Sequence, residues 1–80
     1  MFYVYLIRSI NFPELTYIGF TLNLNTRVTA HNNGEAIHTS KYKPWKLEMY
    51  CAFIDEVKAK AFERYLKSGS GRAFAKKHLW

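Results

Sequence analysis

The sequence predicts a small α+β domain, in which a three-stranded antiparallel β-sheet is flanked by helices in the order β-β-α-β-α-α. Three observations support this. Apolar residues make up 49% of the 80 residues, enough to form a buried core. Aromatic and β-branched runs, which favour strands, are interspersed with segments whose apolar residues recur at helical spacing. The chain is also short, so we assign residues 1–80 to a single domain.

Two strands are predicted first. Residues 2–8 are apolar on both alternating faces, which is typical of a central strand covered on both sides. A turn around Pro13 separates them from a second, antiparallel strand over residues 15–20. Gly19 lies inside that second strand, where a glycine often marks a close approach to the backbone.

A helix is predicted over residues 23–32. Asn23 is suited to cap its N-terminus, and Leu24 and Val28 form an apolar stripe at i, i+4 spacing. Gly34 follows the last turn, so we expect it to end the helix in the left-handed conformation.

A loop over residues 35–46 and a third strand over residues 47–53 come next. Pro44 lies near the end of the loop. The strand alternates cleanly, which predicts two distinct faces. One face carries Leu47, Met49, Cys51 and Phe53, and the other carries Glu48, Tyr50 and Ala52.

Two helices are predicted in the last third of the chain. Asp55 is suited to cap a helix over residues 56–67, and the glycines at 69 and 71 separate it from a short helix over 72–78. The apolar stripe of the longer helix is predicted to consist of Val57, Ala61 and Tyr65, widened by Phe62 and Leu66.

Composition excludes several functional classes. The longest apolar run has seven residues, Met1–Ile7, far short of the roughly 20 that a membrane-spanning helix needs. Cys51 is the only cysteine, which excludes an internal disulfide or a thiolate metal cluster. We therefore expect a soluble cytoplasmic protein that does not act in a membrane.

The net charge of the chain indicates what kind of molecule it binds. Twelve basic and six acidic residues give a net charge of +6, which suits a polyanion such as nucleic acid. Tyr42 and Trp45 could stack on unpaired bases, although core packing explains them equally well. The residues predicted to bind nucleic acid are Lys41, Lys43, Lys46 and Arg72.

Five polar side chains form a candidate catalytic site. If Tyr5 lies opposite Tyr17, their hydroxyls leave one face of the sheet with Cβ atoms about 5 Å apart. Arg27 and His31 are one helical turn apart and border the buried stripe, so they can approach the two phenols. Such a group could clamp a phosphate and transfer protons, as phosphodiester cleavage requires. Glu63 could hold a divalent cation. The alternative is that these are ordinary strand aromatics and solvated helix edges.

These residues and their neighbours resemble the GIY-YIG nuclease domain. Residues 61–72 also resemble the small stand-alone bacterial members of that family. The matching motifs are Tyr3-Val4-Tyr5, then Tyr17-Ile18-Gly19-Phe20-Thr21, then Leu24-x-x-Arg27-x-x-x-His31-Asn32-x-Gly34, and finally Glu63.

The resemblance implies a metal-dependent endonuclease that hydrolyses nucleic-acid phosphodiester bonds, and we expect the nucleic acid to be DNA. Glu63 would hold one Mg²⁺ or Mn²⁺, and Arg27 would neutralise the charge that develops on the phosphate. Tyr5 would deprotonate the attacking water, with its pKa lowered by nearby positive charge. His31 would relay the proton, and Tyr17 would hold the phosphate or the water.

The chain departs from the family pattern in two places. Tyr3 and Val4 replace the first glycine and isoleucine, and no asparagine follows residue 33, where many members carry one that supports the site. A non-catalytic nucleic-acid-binding module is therefore the alternative function. A partner protein or a homo-oligomer could also contribute to binding.

Overall fold

The computed structural model describes all residues from Met1 to Trp80. It has the predicted element order and is an α+β fold. The elements are β1 (Phe2–Ser9), β2 (Thr16–Thr21), α1 (Leu24–Asn32), a short 3₁₀ helix (Ser40–Tyr42), β3 (Trp45–Phe53), α2 (Glu56–Lys67) and α3 (Gly69–His78). None of the helices has the length and hydrophobicity needed to cross a membrane.

The sheet has the strand order β2-β1-β3 with both pairs antiparallel, so β1 is central as predicted. Its residues Val4 to Ile7 are completely buried because each face of the sheet is covered. On one face, Tyr5, Ile7 and Trp45 form a core cluster against α1. On the other, Val4 and Leu6 belong to a cluster that α2 and α3 complete. This two-sided burial explains the continuous apolar run in the sequence.

The register between β1 and β2 differs from the expectation. Tyr5 lies opposite Gly19, and Tyr17 lies opposite Ile7. The reason is that β1 continues to Ser9, whose N–H donates to the carbonyl of Leu15 and closes the turn there. A shift of two residues keeps both tyrosines on the same face but makes them diagonal neighbours, with Cβ atoms about 7–8 Å apart instead of 5 Å.

The predicted alternation of β3 is interrupted by a β-bulge. Leu6 lies opposite Met49 and Ile7 opposite Leu47, so Glu48 is an extra residue in β3. An extra residue in one strand changes the face of the sheet to which the residues beyond it belong. Leu47 therefore shares the face of Ile7 and not that of Met49. The prediction for Leu47 was therefore wrong. Met49, Cys51 and Phe53 are half-buried on one face, as predicted.

The orientation of α2 also differs from the prediction. Val57, Ala61 and Tyr65 are exposed, whereas Ala59 and Leu66 are fully buried. Phe62 packs on the core next to them, so the predicted stripe was right for Phe62 and Leu66 and wrong for Val57, Ala61 and Tyr65. The sequence carries two overlapping apolar stripes, and the one that contacts the sheet contains the small Ala59, which lets the helix approach closely.

The helix α3 begins at Gly69, three residues before the predicted start. Ser68 separates it from α2, and its side-chain oxygen accepts a hydrogen bond from Gly71 N–H. Gly71 is buried against the end of α2: a Cβ there would lie 2.8 Å from Leu66 Cα and closer still to the carbonyl of Tyr65. The absence of a side chain therefore permits the tight junction between the helices, whereas the sequence suggested only a break.

Candidate active site

The hydroxyl of Tyr5 is the centre of a buried hydrogen-bonded cluster. Its Oη lies 2.8 Å from Nε2 of His31 and accepts a hydrogen bond from Nε of Arg27 at 3.3 Å. The Tyr5 side chain has no exposed surface. The ring passes over Gly19 on β2, where a Cβ would lie 2.8 Å from Cε1 of Tyr5 and closer still to its hydroxyl. The glycine predicted to permit a close approach therefore makes room for this phenol.

Arg27 and His31 reach Tyr5 because of the geometry of α1. Asn23 caps this helix, with Oδ1 accepting from Thr26 N–H, as predicted. Leu24 and Val28 pack against the core cluster of Tyr5 and thereby turn the neighbouring face toward the sheet. Arg27 is half-buried, but His31 is fully buried and not merely at the edge of the stripe.

Thr39 is a member of the cluster that the sequence did not reveal. Its Oγ1 lies 2.7 Å from Nδ1 of His31 and donates to the carbonyl of Ala36 at 3.4 Å. Because that hydroxyl proton is engaged, Oγ1 accepts from Nδ1–H, and Nε2 is left to accept from Tyr5. Trp45 holds the residue in place, since its Nε1 donates to the Thr39 carbonyl at 2.8 Å. Thr39 lies in an irregular loop, where no periodic pattern marks a residue as buried.

Burial sets the protonation states of the cluster. It lowers the pKa of His31, and the charge of Arg27 lowers it further. Burial also raises the pKa of Tyr5, although the hydrogen bond and charge of Arg27 oppose this. The expectation that positive charge would bring a net decrease for Tyr5 was wrong, because desolvation is the larger effect. At neutral pH the pair therefore consists of a phenol that donates and a neutral imidazole that accepts.

Tyr17 is the outer tyrosine of the site. It is half-buried, and its ring contacts His31 edge-on, with centroids 5.2 Å apart. It also contributes to raising the pKa of Arg27, although the hydrogen bond that Arg27 donates to Tyr5 is the main cause. Tyr17 therefore joins the buried cluster to the solvent.

Glu63 approaches from the other side of the sheet. It lies on α2, its side chain is 22% exposed, and Lys67 Nζ contacts its Oε2 at 3.0 Å. Its charge contributes to raising the pKa of Tyr5, though less than burial does. The structure contains no cluster of three or more acidic, histidine or cysteine ligands. A single carboxylate fits Mg²⁺, which often keeps several waters and completes its shell with substrate phosphate, provided Lys67 gives way.

The predicted nucleic-acid-binding residues lie in two separate regions. Lys41, Lys43 and Lys46 are exposed in and after the loop that follows α1, whereas Arg72 is exposed on α3. Trp45 is only 4% exposed and belongs to the core cluster of Tyr5, so it cannot stack on a base. Core packing, the alternative for this tryptophan, is correct.

Comparison with known families agrees with this geometry. Residues 1–77 match the family model of the GIY-YIG catalytic domain. No curated protein matches the chain significantly.

Proposed function

The chain belongs to the GIY-YIG family of nuclease catalytic domains, and on this premise we propose that it is a metal-dependent endonuclease. It would hydrolyse phosphodiester bonds of nucleic acid, DNA in preference to RNA. The observation that supports the proposal most is the buried cluster in which the Tyr5 hydroxyl connects His31 with Arg27. A buried tyrosine hydroxyl needs an acceptor for its proton, which His31 provides, but structural burial alone does not require a charged guanidinium at the same oxygen.

The proton transfer would begin at the Tyr5–His31 pair. As Tyr5 passes its hydroxyl proton to Nε2 of His31, its oxygen would take a proton from the attacking water, which would enter beside the half-buried Tyr17 because Tyr5 has no exposed surface. Thr39 keeps Nε2 of His31 free to accept this proton. Since the pKa of Tyr5 is raised and that of His31 is lowered, the transfer depends on a charge that stabilises the phenolate. Arg27 stabilises the negative charge that appears on the Tyr5 oxygen during this exchange. The hydroxide then attacks phosphorus, the P–O bond to the leaving oxygen breaks, and that oxygen takes a proton from a solvent water. The resulting hydroxide is neutralised by the proton that His31 gives up as the Tyr5–His31 pair returns to its starting state.

The two more exposed groups would act on the phosphate. Arg27 carries a permanent charge and is half-buried, so it can also neutralise the charge that develops at phosphorus. Tyr17 is the phenol with exposed surface, and we assign to it the orientation of the water or the phosphate. Glu63 would hold one Mg²⁺ or Mn²⁺. When bound, the ion supplies Lewis-acid stabilisation of the leaving oxygen.

A cleavage assay tests this function. End-labelled single-stranded DNA, duplex DNA and RNA of one sequence are incubated with the protein in Mg²⁺, Mn²⁺ or EDTA. We expect metal-dependent products with the parent chain and none with Glu63→Gln. Glu56→Gln is the matched control, because Glu56 also lies on α2 and pairs with a lysine four residues later.

The outcomes separate the functions considered. If Glu56→Gln cleaves normally and Glu63→Gln does not, the assignment of Glu63 stands. Intact substrate in every lane, together with a salt-sensitive shift in a native gel, would identify the non-catalytic binding module instead. Activity that appears only at high protein concentration would indicate that a homo-oligomer is required.

A further inference from the structure

A cleft between the edge strand β2 and helix α3 is not used by the catalytic cluster. Its volume is about 480 Å³, within the range of about 300–1,000 Å³ that small-molecule sites occupy. Leu15 and Ile18 contribute apolar surface from the region of β2, and Trp80 contributes it at the end of the chain. Arg72 and Lys76 of α3 add positive charge.

The cations of the cleft have no acidic partner. Arg72 and Lys76 are four residues apart on α3, so their side chains share one face, and neither forms an ion pair. Like charges at this spacing repel each other and destabilise a helix. Lys67 also lines the cleft but is bound to Glu63, and Glu14 is the only acid in the lining. The cleft is therefore cationic, and an anion bound between Arg72 and Lys76 would relieve their repulsion.

Trp80 offers an aromatic surface next to these cations. It packs against the core cluster but stays partly exposed, and its backbone N–H donates to the carbonyl of Ala75 at 3.0 Å. A partly exposed indole that lines the cleft is suited to stacking on a nucleobase. A phosphate site beside an aromatic surface matches the two ends of a nucleotide.

The cleft is also contiguous with the catalytic groups. Tyr17 lines it and contacts His31 with its ring. Lys67 lines it and contacts Glu63. A strand whose phosphate lies at the catalytic cluster would therefore bring its next nucleotide to the cleft.

We propose that this cleft binds one unpaired nucleotide of the substrate strand, next to the bond that is cut. Its phosphate contacts Arg72 and Lys76, and its base stacks on Trp80. The proposal rests on the proposed nuclease function and extends it to the form of the substrate. Since a base inside the cleft cannot remain paired, the preferred substrate has a single-stranded or unpaired segment adjoining the cleavage site.

Binding measured in EDTA tests the cationic part, because no cleavage occurs there. The probe is a short fluorescent single-stranded DNA, with RNA of the same sequence in parallel. We compare Arg72→Ala/Lys76→Ala with Arg64→Ala/Lys77→Ala, exposed residues of α2 and α3 that do not line the cleft. Both variants carry two fewer positive charges than the parent. We expect binding about tenfold weaker for the cleft variant only. The log–log slope of its salt dependence should be smaller by about 0.7 for each phosphate that the variant no longer neutralises.

Trp80 tests the stacking part. The other tryptophan, Trp45, is buried, so its indole signal serves as an internal reference for that of Trp80. In ¹⁵N-resolved NMR spectra, addition of the oligonucleotide should shift the Trp80 indole signal and leave that of Trp45 in place. Trp80→Leu keeps the apolar packing but removes the stacking surface, and it should weaken binding by about fivefold to a hundredfold. A fully paired duplex should bind more weakly than one with an unpaired segment.

Equal weakening in the two double variants, an unmoved Trp80 signal, or preference for the fully paired duplex would each overturn the proposal. These results are independent of the cleavage assay. A protein that binds through the cleft but never cuts would refute the nuclease function, and one that cuts but binds elsewhere would refute only the cleft.

Discussion

Replacing Gly19 with alanine perturbs the site without substituting any residue assigned to catalysis. The new Cβ would lie 2.8 Å from Cε1 of Tyr5 and closer to its hydroxyl, well inside the distance of ordinary van der Waals packing. The Tyr5 ring cannot yield easily, because it is fully buried and its hydroxyl is held by His31 and Arg27. We therefore expect Gly19→Ala to displace Tyr5 by about 1 Å from both partners.

The loss of stability in Gly19→Ala can be worked out from the two hydrogen bonds that Tyr5 would lose. Losing the bonds at 2.8 and 3.3 Å costs about 1–3 kcal/mol together, and overpacking adds a similar amount. Alanine in a strand offsets about 0.5–1 kcal/mol of this, since glycine loses more backbone freedom on folding. The net destabilisation is about 1–5 kcal/mol. For a domain of this size, that corresponds to a decrease in Tm of about 4–40 °C.

Thermal unfolding followed by circular dichroism measures this, with Gly69→Ala as the control. Gly69 is the first residue of α3, and a Cβ added there would have no other atom within 4 Å. Alanine at this position should therefore be neutral or stabilising by up to about 1 kcal/mol. Cleavage by Gly19→Ala should fall at a temperature where the variant is still folded, because the Tyr5–His31 bond is broken. If Gly19→Ala matches the parent in both Tm and activity, the close approach of Tyr5 to β2 is refuted.

Three further predictions concern the buried cluster. Since the pKa of His31 is lowered from 6.5, the unfolded chain binds a proton that the folded one does not, and stability should fall as the pH drops below about 6.5. Urea titrations at pH 8 to 5 measure this, and His31→Gln should remove that component. Thr39→Val should change the tautomer of His31 seen by ¹⁵N NMR and slow cleavage, whereas Thr39→Ser should restore both; an unchanged spectrum would contradict the role of Thr39. In single-turnover assays, Arg27→Ala should lower the cleavage rate by about 10²–10³-fold, and Tyr5→Phe and Tyr17→Phe should both be severe, while normal rates would exclude these groups.

Much of the fold could be predicted from local signals. The Asn23 cap, the stripe of Leu24 and Val28 and the left-handed Gly34 define α1, and all three are present in the structure. Helix geometry alone places Arg27 and His31 one turn apart on one side. Such features depend on neighbours within a few residues, so a sequence can reveal them.

The arrangement across elements depended on packing between distant segments. The pairing of Tyr5 with Gly19, the bulge at Glu48 and the orientation of α2 each arise from interactions that no local pattern encodes. In α2, two stripes of similar apolarity were available, and close packing on the sheet selected the one containing Ala59.

The sequence by itself indicated most of the groups proposed for the site, because Tyr5, Tyr17, Arg27 and Glu63 lie in the motifs that carry the resemblance to the GIY-YIG family, whose model matches residues 1–77. Only the tertiary structure decided the protonation and the hydrogen bonding of these groups. Complete burial raises the pKa of Tyr5, although the hydrogen bond and charge of Arg27 act to lower it. Thr39 binds Nδ1 of His31, so the unprotonated Nε2 faces the phenol. The physical reason is that desolvation and hydrogen-bond direction depend on what surrounds a group in three dimensions, and those surroundings come from segments far apart in the chain.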